Sequence, residues 1–118
     1  MSNEMGLIRA PQITIANGAA VSNAIDIGEL GLCAIVTPST WTAANLTFQG
    51  SVDGVTFFDV YDSSGTELQI TAAASRHIML SPANFAGIRF LKVRSGTTGT
   101  PVNQGGDRVL IPLARKLA

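Results

Sequence analysis

Residues 45–62 read NLTFQGSVDGVTFFDVYD, and this stretch decides the fold. From Asn45 to Val52 the side chains alternate. Leu46, Phe48, Gly50 and Val52 fall on one side, and Thr47, Gln49 and Ser51 on the other. A period of two is that of a pleated strand with one face buried. Asp53-Gly54 follows, and a two-residue Asp-Gly link predicts a type I′ turn, whose positive φ angles match the strand twist. Thr56 to Asp62, rich in aromatic and β-branched residues, then returns antiparallel. The stretch predicts a β-hairpin.

The same pattern continues outward. Upstream, Gln12 to Ala16 alternates with Ile13 and Ile15 on one face, and Asn17-Gly18 is a turn signal. Ala24 to Ile27 pairs Ile25 with Ile27. Leu30 to Thr37 (LGLCAIVT) is a nearly continuous apolar run that fits a strand buried on both faces and stopped by Pro38. Downstream, Ser63-Ser64-Gly65 turns the chain, and Glu67 to Thr71 points Leu68 and Ile70 inward. Ala72 to Ala74 is long enough for one helical turn only. His77 to Leu80 is a short strand. Ser81-Pro82 opens a helical turn, with Ser as N-cap and Gly87 as terminator. Ile88 to Ser95 is a long strand, Gly96 to Asp107 an exposed loop, and Arg108 to Leu113 the last strand, with Pro112 expected at a sheet edge. About eight short strands with turns between them predict an all-β chain, an antiparallel β-sandwich or a jelly-roll-like barrel. Residues 1–11 read as an N-terminal arm and residues 12–118 as a single domain.

Composition narrows the function. The chain has 118 residues, 8 basic and 8 acidic, so it offers no broad basic field for nucleic acid. Charged residues make up 14% against a usual figure of about 25%, and 46% are hydrophobic. That balance argues against disorder and for surface that does not face water in the working state. The longest apolar stretch, Leu30 to Val36, is far short of the roughly 20 residues of a membrane span. The opening MSNEMGLIRAPQ lacks the pattern of a secretory leader. A lone Cys33 in an apolar run reads as a small buried hydrophobe.

Few residues suggest chemistry. His77 is the single histidine. Gly50-Ser51-Val52-Asp53-Gly54 has serine in the wrong place for a nucleophile elbow, and its context is a hairpin. Asp53, Asp59, Asp62 and Glu67 cluster along the hairpin and the next turn. Their spacing does not match an EF-hand, and Asp and Ser in turns bond their own backbone. Neither a catalytic residue nor a metal or cofactor site is expected. Trp41, after Pro38-Ser39-Thr40, is either an anchor covering the sandwich edge or an exposed interface or ligand platform.

Two families resemble parts of the chain. Trp41 to Gln49 (WTAANLTFQ), Ser51 to Gly54, Asp62 to Glu67 (DSSGTE) and Phe85 to Gly96 (FAGIRFLKVRSG) resemble stretches of small β-sandwich virion proteins of tailed bacteriophages, of the capsid decoration or cement type. That resemblance implies a non-enzymatic structural protein of the virion, bound to the major capsid protein where subunits meet. Placement in the tail or connector is the alternative within it. More weakly, Leu46 to Asp62 and Ile88 to Ser95 resemble discoidin-like (F5/8 type C-like) sandwiches, which implies instead a glycan-binding module using Trp41.

The physical pattern also points to assembly. The arm carries Met5, Leu7 and Ile8 outside the main strands, and arms of this kind pack on neighbouring subunits. A homotrimer is the expected state, since closed symmetric oligomers are the rule for such surfaces. The candidate interface residues are Leu7, Ile8, Trp41 and, from the loop Gly96 to Asp107, Thr98, Val102 and Asn103. Nucleic acid and membrane are not expected partners.

Overall fold

Apolar alternation closes the chain into two antiparallel sheets packed face to face. The structure, a computed structural model, describes residues 8–116. In chain order the strands are β1 (Ile8–Arg9), β2 (Ile13–Ile15), β3 (Ile25–Asp26), β4 (Leu30–Val36), β5 (Leu46–Ser51), β6 (Phe58–Asp59), β7 (Gln69–Ile70), β8 (His77–Met79), β9 (Phe90–Ser95) and β10 (Arg108–Lys116). The first sheet runs β8–β4–β10, with β1 and β2 sharing the outer side of β10. The second runs β3–β9–β5, with β6 and β7 sharing the outer side of β5. The result is a β-sandwich and not a barrel. No described helix is long and apolar enough to cross a membrane.

The core is supplied by the alternating positions. Ile13 and Ile15, Ile25 and Ile27, Leu32 and Ile35, Leu46 and Phe48, and Leu91 and Val93 are buried from both sheets. Burying each such side chain contributes about 1.5–3 kcal/mol. Phe48 meets Phe85 edge to face, with ring centres 5.0 Å apart. Phe85 arrives from a single 3-10 turn, Pro82–Asn84, which plugs the sandwich near β4. Ser81 occupies the expected capping position, but its side chain makes no cap bond. No helix forms at Ala72 to Ala74; the chain turns there through Ser75, at φ 57°.

Three local expectations are corrected. The first concerns the hairpin. β5 and β6 do pair antiparallel, but the ladder ends at Gly50 opposite Phe58. The connection is therefore longer than two residues. Gly54 has φ +80° while Asp53 does not have positive φ, so the turn is not type I′. Val52 follows the last strand residue and points to solvent, not to the core.

The second concerns Pro112. It lies inside β10, a central strand, opposite Ile35. In an antiparallel strand the N–H and C=O of one residue point the same way. The Pro112 carbonyl accepts the Ala10 N–H at 3.1 Å. Its missing N–H therefore points at the break between β1 and β2, around Pro11 and Gln12, where the ladder needs no donor. Within the expected arm of residues 1–11, β1 pairs with β10 and Ala10 is buried.

The third concerns β4. Its near-continuous apolar run carries a bulge: Leu113 opposes Ala34 but Ala114 opposes Leu32. Cys33 is the extra residue, half-buried, and its thiol reaches the Leu113 carbonyl at 3.4 Å.

Candidate functional site

The hairpin that decides the fold also carries, at Val52 and Val55, the two most exposed large apolar side chains among the described residues. Val52, Val55 and Phe58 are 87%, 81% and 71% exposed, and Tyr61 is exposed beside them. The loop that presents them is pinned from within. The Ser51 hydroxyl donates to Asp53 Oδ1 at 2.9 Å and accepts the Gly54 N–H at 2.9 Å. Asp53 Oδ1 also accepts the N–H groups of Val55 (2.9 Å) and Thr56 (3.0 Å). These donors hold the Asp53 carboxyl below its ordinary value of 3.8, the Thr56 and Val55 amides first and the Ser51 hydroxyl after them. Asp62 does the same in the next turn. It accepts the Ser64 hydroxyl at 2.7 Å and the Thr66 N–H at 3.0 Å, which lowers its pKa too. The acidic turns are thus built by local backbone capping. Among the described residues no group of His, Cys, Asp or Glu is arranged to hold a metal ion.

The hairpin is tied to the sheet by Arg94. This side chain is buried on the outer face of β9 and pairs with both Asp59 on β6 and Glu67 ahead of β7, the latter at 3.1 Å. Thr98 closes the cluster. Its N–H reaches the Glu67 carboxylate at 3.2 Å and its hydroxyl donates to Asp59. The Thr98 bond is the main force lowering the Asp59 pKa, with Arg94 and Gln49 adding to it against the cost of burial.

The outer face of the first sheet is a second apolar surface. Cross-strand register sets His77, Val36 and Ile111 in one row and Met79, Ala34 and Leu113 in the next. Ile35, on the alternate row, is fully buried, so these two rows lie on the outer side of the sheet, where Val36, Ile111 and Leu113 are half-buried and Ala34 is covered by its neighbours. Met79 is 74% exposed, and Val109 on the same side of β10 is exposed as well.

The sequence-derived candidates are split between two ends. Trp41, Thr98, Val102 and Asn103 lie at the end where β4 and β9 finish and β10 begins. Gln104, 1% exposed, knits that end together. Its side chain accepts the Thr42 N–H at 2.8 Å and donates to the Thr42 carbonyl at 3.0 Å and the Ser95 hydroxyl at 2.6 Å. Its backbone carbonyl accepts the Gly18 N–H at 2.8 Å. Trp41 is half-buried against the core, with its indole N–H on the Ala44 carbonyl at 3.1 Å; it is an edge anchor. Asn103 is exposed. Ile8 pairs with Ala114, toward the opposite end of β10, and Leu7 lies outside the described residues. Near that opposite end Asp26, Gly28, Glu29, Leu30 and Arg89 line an open notch of about 300 Å³. Its main charges satisfy each other, Arg89 donating to both Asp26 oxygens at 2.8 and 3.1 Å.

Sequence reading missed the knob at Val52 and Val55, the Arg94 cluster and the role of Gln104. The Ser-x-Asp spacing at Ser51 and Asp53 signals a capped loop and would have released Val52 from the strand. Nothing local marks Gln104. No family model, curated protein or solved structure matches the chain.

Proposed function

We propose that this chain is a non-enzymatic structural protein of a bacteriophage particle, a capsid decoration protein that binds the major capsid protein where subunits meet. The observation that carries the assembly reading is the hairpin: large apolar side chains held in water on a backbone fixed by Ser51 and Asp53. The core is complete without them, so their burial awaits another protein surface. Docking on the shell is assigned to two separate contacts: residues 1–7, which precede Ile8 toward one end of β10, and the opposite end, bearing Trp41, Thr98, Val102 and Asn103. The Gln104 bonds order that end in advance, so little conformational freedom is lost on binding.

The test is co-sedimentation with bare shells of the capsid protein. Wild type is expected to pellet with the shells. Deletion of residues 1–7, and Asn103→Arg at an exposed loop position, are each expected to reduce bound protein at least tenfold without altering the unfolding curve. Binding unchanged in both variants would overturn the docking assignment, and absence of wild-type binding would overturn the decoration reading.

A further inference from the structure

We propose that Asn17-Gly18 is a site of spontaneous covalent modification, deamidation through a cyclic imide, and that the bonds tying this turn to residues 104–107 hold the reaction in check until that end of the sandwich opens. The inference does not depend on the decoration reading. It goes beyond it by giving the molecule a chemical fate at a named peptide bond.

The sequence selects the site. Asn17 is the one asparagine of the chain that is followed by glycine. In the reaction the Gly18 backbone nitrogen gives up its proton and attacks the carbonyl carbon of the Asn17 side chain. A C–N bond closes a succinimide ring, and the carboxamide nitrogen leaves as ammonia. Water then opens the ring at one of its two C–N bonds. Cleavage on the side-chain side gives aspartate, and cleavage on the main-chain side gives isoaspartate. Neither step needs an oxidant or a reductant. Glycine favours the attack because it has no Cβ to obstruct the nitrogen. Asp53-Gly54 has the same spacing, but the structure closes it off. An ionised carboxylate is a poor electrophile, and the amide donors on Asp53 favour its ionised form. The Gly54 N–H is bonded to the Ser51 hydroxyl at 2.9 Å. The Asn17 carboxamide is neutral and needs no proton to accept the attack.

The structure supplies the restraint. Asn17 and Gly18 are exposed, in a turn where the Ala19 N–H bonds the Ala16 carbonyl at 2.9 Å and Gly18 has φ +81°. Water therefore reaches the side chain, but the attacking nitrogen is engaged. The Gly18 N–H donates to the Gln104 carbonyl at 2.8 Å, and the Gln104 N–H donates back to the Ala19 carbonyl at 2.9 Å. The Asn17 N–H donates to Asp107 Oδ1 at 2.8 Å. Hydroxide removes a proton held in such a bond only after the bond opens, as in amide hydrogen exchange. Gln104 is buried and its side chain is bonded to Thr42 and Ser95, so the partner of Gly18 is itself held in place. The product acts back on the same contacts. Either form puts a carboxylate at position 17, next to the residue that binds Asp107, where like charges repel. Isoaspartate also adds a carbon to the main chain between residues 17 and 18, which moves Gly18 and Ala19 out of register with Gln104.

Peptide mapping by mass spectrometry tests this during incubation at mildly alkaline pH, with isoaspartyl methyltransferase marking isoaspartate. The samples are folded wild type, wild type unfolded in urea, and folded Asp107→Ala. In the unfolded chain Asn17 is expected to convert fastest of all the asparagines. In the folded chain it is expected to slow by the factor by which the fold slows hydrogen exchange at the Gly18 amide, measured by NMR. Asp107→Ala is expected to speed both conversion and Gly18 exchange about tenfold, the equivalent of one net hydrogen bond. Should that variant lose its native melt, Asp107→Lys carries the same test. Absence of products at Asn17 in the unfolded chain overturns the site. Folded conversion as fast as unfolded, or slowed by a factor unrelated to Gly18 exchange, overturns the restraint. A variant that changes neither rate, or only one of them, overturns it as well. The isoaspartate form, separated by ion exchange, is expected to lose protection at the Gly18 and Gln104 amides; unchanged protection overturns the action on Gln104. No shell enters these measurements, so their failure is distinct from failure of the decoration reading.

Discussion

Arg94 shows how a charge becomes a structural element. On the outer face of β9 it would face solvent, yet the loop after the strand folds back and Thr98 caps it. With the guanidinium desolvated, Asp59 and Glu67 together bond its N–H groups, and its single charge is held between their two carboxylates. Replacing Arg94 by Met leaves two carboxylates facing each other without their cation. We expect a loss of about 3 kcal/mol, read as a lower urea midpoint. Adding Asp59→Asn and Glu67→Gln to Arg94→Met should restore part of it. The acid response follows from the carboxylates. Asp26, Asp53, Asp59 and Asp62 all titrate below their ordinary value of 3.8 in the folded chain. The unfolded chain therefore binds protons first as pH falls. Their contribution is complete above pH 3.8 and is lost as pH drops through the lower folded values. The melting temperature should hold level toward neutral pH and fall on acidification below about 4; a melting temperature that holds level to pH 2 would contradict these bonds. The sequence shows Asp59 and Glu67 clustered along the hairpin and the next turn, but not that Arg94 joins them, because it lies 35 and 27 positions away.

Strands and turns were more legible than contacts. The alternation at Gln12 to Ala16 and at Leu46 to Phe48 identified buried faces correctly, because burial on one face of a strand leaves its mark every second residue. What local pattern does not encode is which strand lies inside a sheet. Pro112 reads as an edge signal, and the rule failed because the neighbouring edge is itself interrupted where the N–H is missing. Turn glycines make a test at this scale. Gly65 and Gly96 both have positive φ. A Cβ on Gly65 would meet nothing within 4 Å, whereas on Gly96 it would lie 2.5 Å from the Thr100 carbonyl and 2.7 Å from the Val102 nitrogen. Gly65→Ala should cost about 1 kcal/mol from backbone strain alone. Gly96→Ala should cost clearly more and loosen the 96–107 loop, visible as faster amide exchange at Val102, whose N–H is bonded to the Ser95 carbonyl. Equal losses would mean that the loop yields freely.

At the scale of the whole molecule, low charge and high apolar content raise the expectation that some surface is covered in the working state, without saying which. Arms and loops attracted the sequence reading because exposure there is easy to guess. The knob was hidden by its resemblance to a continuing strand, and the apolar outer face of the first sheet by the sandwich fold itself, since β4 reads as buried on both sides whichever face is inward. The shell experiment has an energetic scale. A protein that binds the assembled shell and not its subunits stabilises each site by about 2.7 kcal/mol at a hundred times its dissociation constant. The melting of decorated shells should therefore rise with protein concentration and level off once sites are filled.

Among the described residues the long strands β4, β5, β9 and β10 are all interior, and each strand along the outside of the sheets has two or three residues. An extended chain adding to such an edge finds a hydrogen-bonding row of about 10 Å at most. A neutral, apolar protein crowded on a surface faces the hazard of cross-β growth, in which each chain templates the next along its backbone. Here that template is too short to propagate. Native copies that meet along these edges can pair backbones over two or three residues at a time, so any larger contact between them falls to side chains.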